Sequence, residues 1–105
     1  MIELKTGEQF KDFIQQEKVI MIFSADWCPD CRVLDPLLPS IEEQFNENTF
    51  VYVDRDKFID ICIEYDIFGI PSFIGFNKGQ EVGRFVSKDR KTEQEITNFI
   101  EKLFV

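Results

Sequence analysis

Apolar and polar positions along this chain switch between a period of two and a helical period, and the switches mark its elements. The short apolar start Ile2 to Leu4 reads as a strand. Thr6, followed three residues later by Gln9, then has the pattern of a capping box ahead of Phe10, Phe13 and Ile14 at helical spacing. Val19 to Ala25, VIMIFSA, is an unbroken apolar run of the kind expected for a central strand buried on both faces. Leu34, Leu37, Leu38, Ile41 and Phe45 fall on one helical stripe, and Pro36 and Pro39 within it predict a kink in a single helix. Thr49 to Val53 is another β run, and Phe58, Ile61, Cys62 and Tyr65 mark a further helix. Past Gly69-Ile70-Pro71, SFIGF and EVGRFV flank Asn77-Lys78-Gly79 as a hairpin in which Gly79 supplies the positive φ. Ile96, Phe99, Ile100 and Leu103 mark the last helix.

The order β-α-β-α-β-α-β-β-α predicts an α/β fold: a mixed sheet of five strands with helices on both faces. Parallel strands need crossover helices, and the hairpin adds an antiparallel edge. At 105 residues the expectation is one domain, 1–105. A hydrophobic content of 44%, with twelve Phe, is enough to build its core without disulfide staples.

A net charge of −8 argues against a nucleic-acid surface, because phosphate binding relies on Lys and Arg. No run approaches the roughly 20 apolar residues that cross a bilayer. MIELKTGEQF has neither the basic start nor the apolar run of a signal peptide, so the expected location is cytoplasmic, with no membrane partner. Three cysteines in such a chain do not make a disulfide framework, which leaves Cys28 and Cys31 free for a transient bond.

SADWCPDC, residues 24–31, ends the buried strand and opens the next helix. The Cys28/Cys31 spacing alone suits zinc, an inert bridge or a redox couple. Zinc takes about four ligands, and this chain offers one pair, a distant Cys62 and no histidine. Cys28 as N-cap and Pro29 as first helical residue would place unpaired N–H groups and the positive helix end beside Cys28, favouring its thiolate. Cys31, one turn further in, would lie on the same side, close enough to attack the Cys28 sulfur. Cys62, on an apolar stripe, reads as a small buried hydrophobe. Lys91, Glu93, Glu95 and Lys102 read as exposed helix surface.

A buried strand, then Trp27-Cys28-Pro29-Asp30-Cys31 opening a helix, with Gly69-Ile70-Pro71 ahead of a hairpin, resembles the thioredoxin family over essentially the whole chain. Pro36, Asp54 at the end of the third strand and Gly79 agree. The resemblance implies a thiol-disulfide oxidoreductase that reduces disulfides in client proteins, with Cys28 as nucleophile, Cys31 as resolving thiol and no cofactor. It also implies a cis bond before Pro71, an Ile70 backbone that pairs with an extended substrate, and an apolar rim of Trp27, Pro29 and Ile70. A monomer is expected, with electrons supplied by a flavoenzyme disulfide reductase or a low-molecular-weight thiol. A redox-inactive interaction module on the same fold is the alternative.

Three departures from the family pattern bear on mechanism. A buried acid on the central strand and a neighbouring lysine usually serve the resolving thiol; Ile22 and Phe50 stand at the positions aligned with them. Asp30, beside Cys31, or a water is the candidate replacement for proton transfer; the alternative for Asp30 is a charge that complements the helix dipole and is turned away from the sulfur. Ser87-Lys88 replaces a glycine-containing groove. Asp30 also opposes ionisation of a neighbouring thiol, which predicts a reducing couple nearer about −270 mV than the oxidase value of about −120 mV.

Overall fold

A computed structural model describes residues 1–105. Five strands form one sheet: β1 (Ile2–Glu3), β2 (Val19–Ser24), β3 (Thr49–Asp54), β4 (Ser72–Asn77) and β5 (Gln80–Phe85), in the order β1-β3-β2-β4-β5. β3 runs parallel to both β1 and β2, whereas β4 is antiparallel to β2 and to β5. Every residue of β2 is buried, as its continuous apolar run requires of a strand covered on both faces.

Side chains alternate across the sheet and divide the core in two. Val19, Met21 and Phe23 of β2 face α1 (Gly7–Ile14) and α4 (Ile59–Glu64) together with Phe10 and Cys62. Ile20 and Ile22 face the other way, onto Leu34, Leu38, Ile41, Ile96 and Ile100. These come from α2 (Pro29–Leu34), α3 (Leu38–Gln44) and α5 (Glu93–Leu103).

Several local expectations are refined by the structure. The Leu34–Phe45 stripe is not one kinked helix but α2 and α3 joined by a 3₁₀ turn, Asp35–Leu37. Pro39 falls in the first turn of α3, where no helical bond is lost. Thr6 caps α1 through Gln9 N–H at 3.2 Å, but the Gln9 side chain accepts from Lys5 N–H rather than closing a box on Thr6. The full capping box is at Thr92 and Glu95, ahead of α5. In the hairpin both Lys78 (φ 53°) and Gly79 (φ 87°) are left-handed, the pairing that a two-residue turn matched to strand twist demands.

Phe10, Tyr65 and Phe76 join α1, α4 and β4. Phe76 meets Phe10 at 6.0 Å and Tyr65 at 5.7 Å, both edge to face. Phe76→Ala should therefore cost about 3–5 kcal/mol in urea unfolding, a large share of the roughly 5–15 kcal/mol typical of a domain. A loss below about 1 kcal/mol would show that this cluster is not a structural hub.

Candidate active site

The strand β2 ends at Ser24, and the chain turns through Ala25, Asp26 and Trp27 into α2. Cys28 is the N-cap: its Sγ accepts the Cys31 N–H at 3.3 Å, and its thiol donates to the Ile70 carbonyl at 3.8 Å. The two sulfurs are thus brought together at one helix turn, reduced, with Cys28 6% exposed and Cys31 fully buried. The Ile70-Pro71 bond is cis. Gly69, just before it, lies so close to the next loop that a Cβ would stand 2.2 Å from the Ser87 carbonyl oxygen, which explains glycine there.

Trp27 lies 58% exposed beside this turn. Its Nε1 donates to Asp56 at 2.6 Å, and the Arg55 guanidinium stacks 5.7 Å from its ring centroid. Asp56 is presented by an Asx turn in which Asp54 accepts its N–H at 2.9 Å. Trp27, Cys28, Phe68, Ile70 and Lys88 border a groove of about 300 Å³. Pro29 is exposed at the start of α2, next to the groove.

Asp30 is directed to the surface, where the Arg90 Nε donates to its carboxylate at 2.8 Å. This contact spans sixty residues and fixes the loop ahead of α5 to the cysteine turn. The sequence gives no sign of it. In the β2/β3 register Phe50 pairs with Ile20 and Tyr52 with Ile22. One expectation is corrected. Lys91 is not helix surface: it precedes α5, is 5% exposed, and its Nζ donates to the Ser87 and Asp89 carbonyls at 3.2 and 3.1 Å. Burial pulls its ammonium below the usual lysine range. A lone lysine between polar neighbours carries no sequence signal of burial.

Burial pushes the Cys31 thiol up to about 11, and the Ser24 hydroxyl beside it offsets part of that effect. Cys62, packed in the α1/α4 core, is likewise pushed up to about 11 by burial. Its place agrees with a small hydrophobe. Both thiols start from an ordinary value of 9.0, so above that pH the unfolded chain releases protons that the folded chain still holds. Stability of the reduced protein should be level in this contribution below about pH 8 and fall as pH rises from about 9 to about 11. A urea midpoint unchanged between about pH 7 and about pH 10 would contradict burial of these thiols.

The family model for thioredoxin matches residues 1–102. Mitochondrial thioredoxin-2 of Schizosaccharomyces pombe is 39% identical over 89 residues, covering 81% of this chain and 67% of that protein. Rabbit (Oryctolagus cuniculus) thioredoxin is 34% identical over 91 residues, covering 86% and 87%. In architecture, Plasmodium falciparum thioredoxin superposes with a TM-score of 0.86 over 97% of this chain and 98% of its own, at 22% identity. The chain accordingly belongs to the thioredoxin family, a thiol-disulfide oxidoreductase with Cys28 and Cys31 as its active-site pair.

Proposed function

We propose that Cys28 is the attacking thiol and Cys31 the resolving thiol in reduction of client-protein disulfides. The observation that carries this assignment is the unequal burial of the pair. The Cys28 sulfur borders the groove, whereas Cys31 has no exposed surface from which to meet a client. The Cys28 thiolate attacks a client disulfide; one client sulfur leaves as thiolate and a mixed disulfide forms. Cys31 then attacks the Cys28 sulfur, releases the second client thiolate and closes the Cys28–Cys31 disulfide. The client is reduced by two electrons and the pair is oxidised by two.

Trp27, Pro29 and Ile70 rim the attacking sulfur and, with Pro71, receive an extended client segment, whose backbone pairs with that of Ile70. Trp27 can serve as a firm wall because Asp56 and Arg55 hold its ring. Asp30, engaged by Arg90, acts as a tether and a local negative charge. Its salt bridge places it poorly for moving the Cys31 proton, the role its sequence position suggests.

The site is complete within one chain, which fits a monomer. No helix is long and apolar enough to cross a membrane. The cytoplasmic location read from the sequence remains our proposal, set beside a relative named as mitochondrial. A flavoenzyme disulfide reductase is the proposed electron donor. Ser87 and Lys88, where the family's glycine-containing groove would lie, favour a low-molecular-weight thiol as the competing donor.

In a reductant-driven insulin-reduction assay, Cys28→Ser should abolish catalysis, a fall of at least about 10³-fold. Cys31→Ser should instead accumulate a Cys28-linked mixed disulfide, visible as client mass added to the protein. Equal rates in wild type and Cys28→Ser would overturn the assignment, as would adducts on Cys31 in a Cys28→Ser protein.

A further inference from the structure

Resolution of the mixed disulfide requires Cys31 to lose its proton where loss is most difficult. Burial holds its thiol above the ordinary range, so little of it is thiolate at neutral pH. Ile22 supplies no base, and the Asp30 carboxylate is turned to Arg90.

The face of the sheet beneath α2 holds another set of groups. Ile20 and Ile22 contact α2 and α3, so Ser24, two residues on, points to the same side. On β3 the buried Phe50 joins that cluster, so Tyr52 shares the side as well. At the C-terminal end of α2, Asp35 follows Cys31 by four residues and donates its backbone N–H to the Cys31 carbonyl, which stacks the two side chains on one helix face. Ser24, Tyr52, Cys31 and Asp35 therefore converge from three elements.

Two buried side-chain atoms of the chain lack a hydrogen-bond partner, and both belong to this set: Ser24 Oγ and Asp35 Oδ1. Ser24 is 1% exposed, and its hydroxyl neighbours both the Cys31 thiol and the Tyr52 phenol. Buried oxygens are nearly always satisfied, directly or through an ordered water.

We propose that Asp35 accepts the Cys31 proton during resolution, acting through the Ser24 hydroxyl and a bridging water. As the Cys31 S–H bond breaks, its proton passes to Ser24, whose own proton moves by way of the water to Asp35. The S–S bond to Cys28 forms, the bond from Cys28 to the client sulfur breaks, and the client thiolate leaves. Asp35 later returns the proton to solvent. The client disulfide remains the oxidant, so no further redox partner enters.

The surroundings suit Asp35 to this task. Burial and Asp26 raise its carboxyl above the usual carboxylate range, while Arg32 opposes them. On β3, Tyr52 lies within reach of the Asp35 charge, and Asp54 adds a further negative group whose carboxylate is engaged by the Asp56 and Lys57 N–H groups. A base raised toward neutrality transfers protons well near the working pH. Lys91, the charge facing Cys31 from the loop before α5, favours the thiolate, but as an ammonium it cannot take the proton.

This inference rests on Cys31 being the resolving thiol, and one experiment separates the two ideas. Reduced protein is mixed with an aromatic disulfide that releases a coloured thiolate twice, once on attack by Cys28 and once on resolution by Cys31. Asp35→Asn should leave the first release unchanged and slow the second by roughly 10- to 100-fold near neutral pH. The deficit should shrink toward none as pH approaches about 11, where hydroxide ionises the thiol directly. Asp35→Glu should recover part of the rate, and Ser24→Ala should slow the same phase. An unchanged second phase in Asp35→Asn would overturn the proposal. So would a deficit independent of pH, or equal slowing of both phases. Absence of any second release in the wild type would instead overturn the resolving role of Cys31.

Discussion

Cys31 has no exposed surface, and its burial sets the terms for the rest of the site. The sulfur is held under the start of α2, against the end of a strand with every residue buried, and a thiol in that setting resists ionisation. The same burial separates the labour of the pair. A client meets Cys28 at the groove, and Cys31 meets only Cys28. Protection of the second thiol from outside reagents and the difficulty of ionising it are one physical fact.

The turn that carries the cysteines and the Gly69-Ile70 segment facing it are held by three contacts. The Ile70 carbonyl accepts the Cys28 thiol, the Ser87 backbone presses on Gly69, and Arg90 clamps Asp30. Two of these contacts come from the segment between β5 and α5, which reaches across the site to positions far away in sequence. The Asp30–Arg90 pair is partly exposed and on its own contributes little stability. Its significance is positional, because it fixes where a negative charge next to the reactive turn can point.

Much of this architecture was legible in the sequence. The unbroken β2 run, the Phe58–Tyr65 stripe and the Trp27–Cys31 motif each impose a local physical requirement that one element satisfies, while the Leu34–Phe45 stripe shows the buried face but not the 3₁₀ break within it. Asp35 stands four residues after Cys31, a spacing that puts both on one helix face, but the proline after it is the stronger local signal, a helix break. The placement of Tyr52 beside Ile22 depends on how two parallel strands align, which no local pattern shows. Lys91 and Arg90 were illegible because long-range packing, not local pattern, gives them their surroundings.

In the proposed path the polar set beneath α2, buried Ser24 with half-buried Tyr52 and Asp35, brings together a hydroxyl, a phenol and a carboxylate drawn from different elements. Its central feature is an Asp35 carboxyl made more basic by burial and by Asp26, and carboxyl-carbon NMR titration of Asp35 in the reduced protein measures it directly. The midpoint should lie above about 3.9, the ordinary aspartate value. An Asp35 carboxyl that titrates at or below the ordinary value would contradict the account.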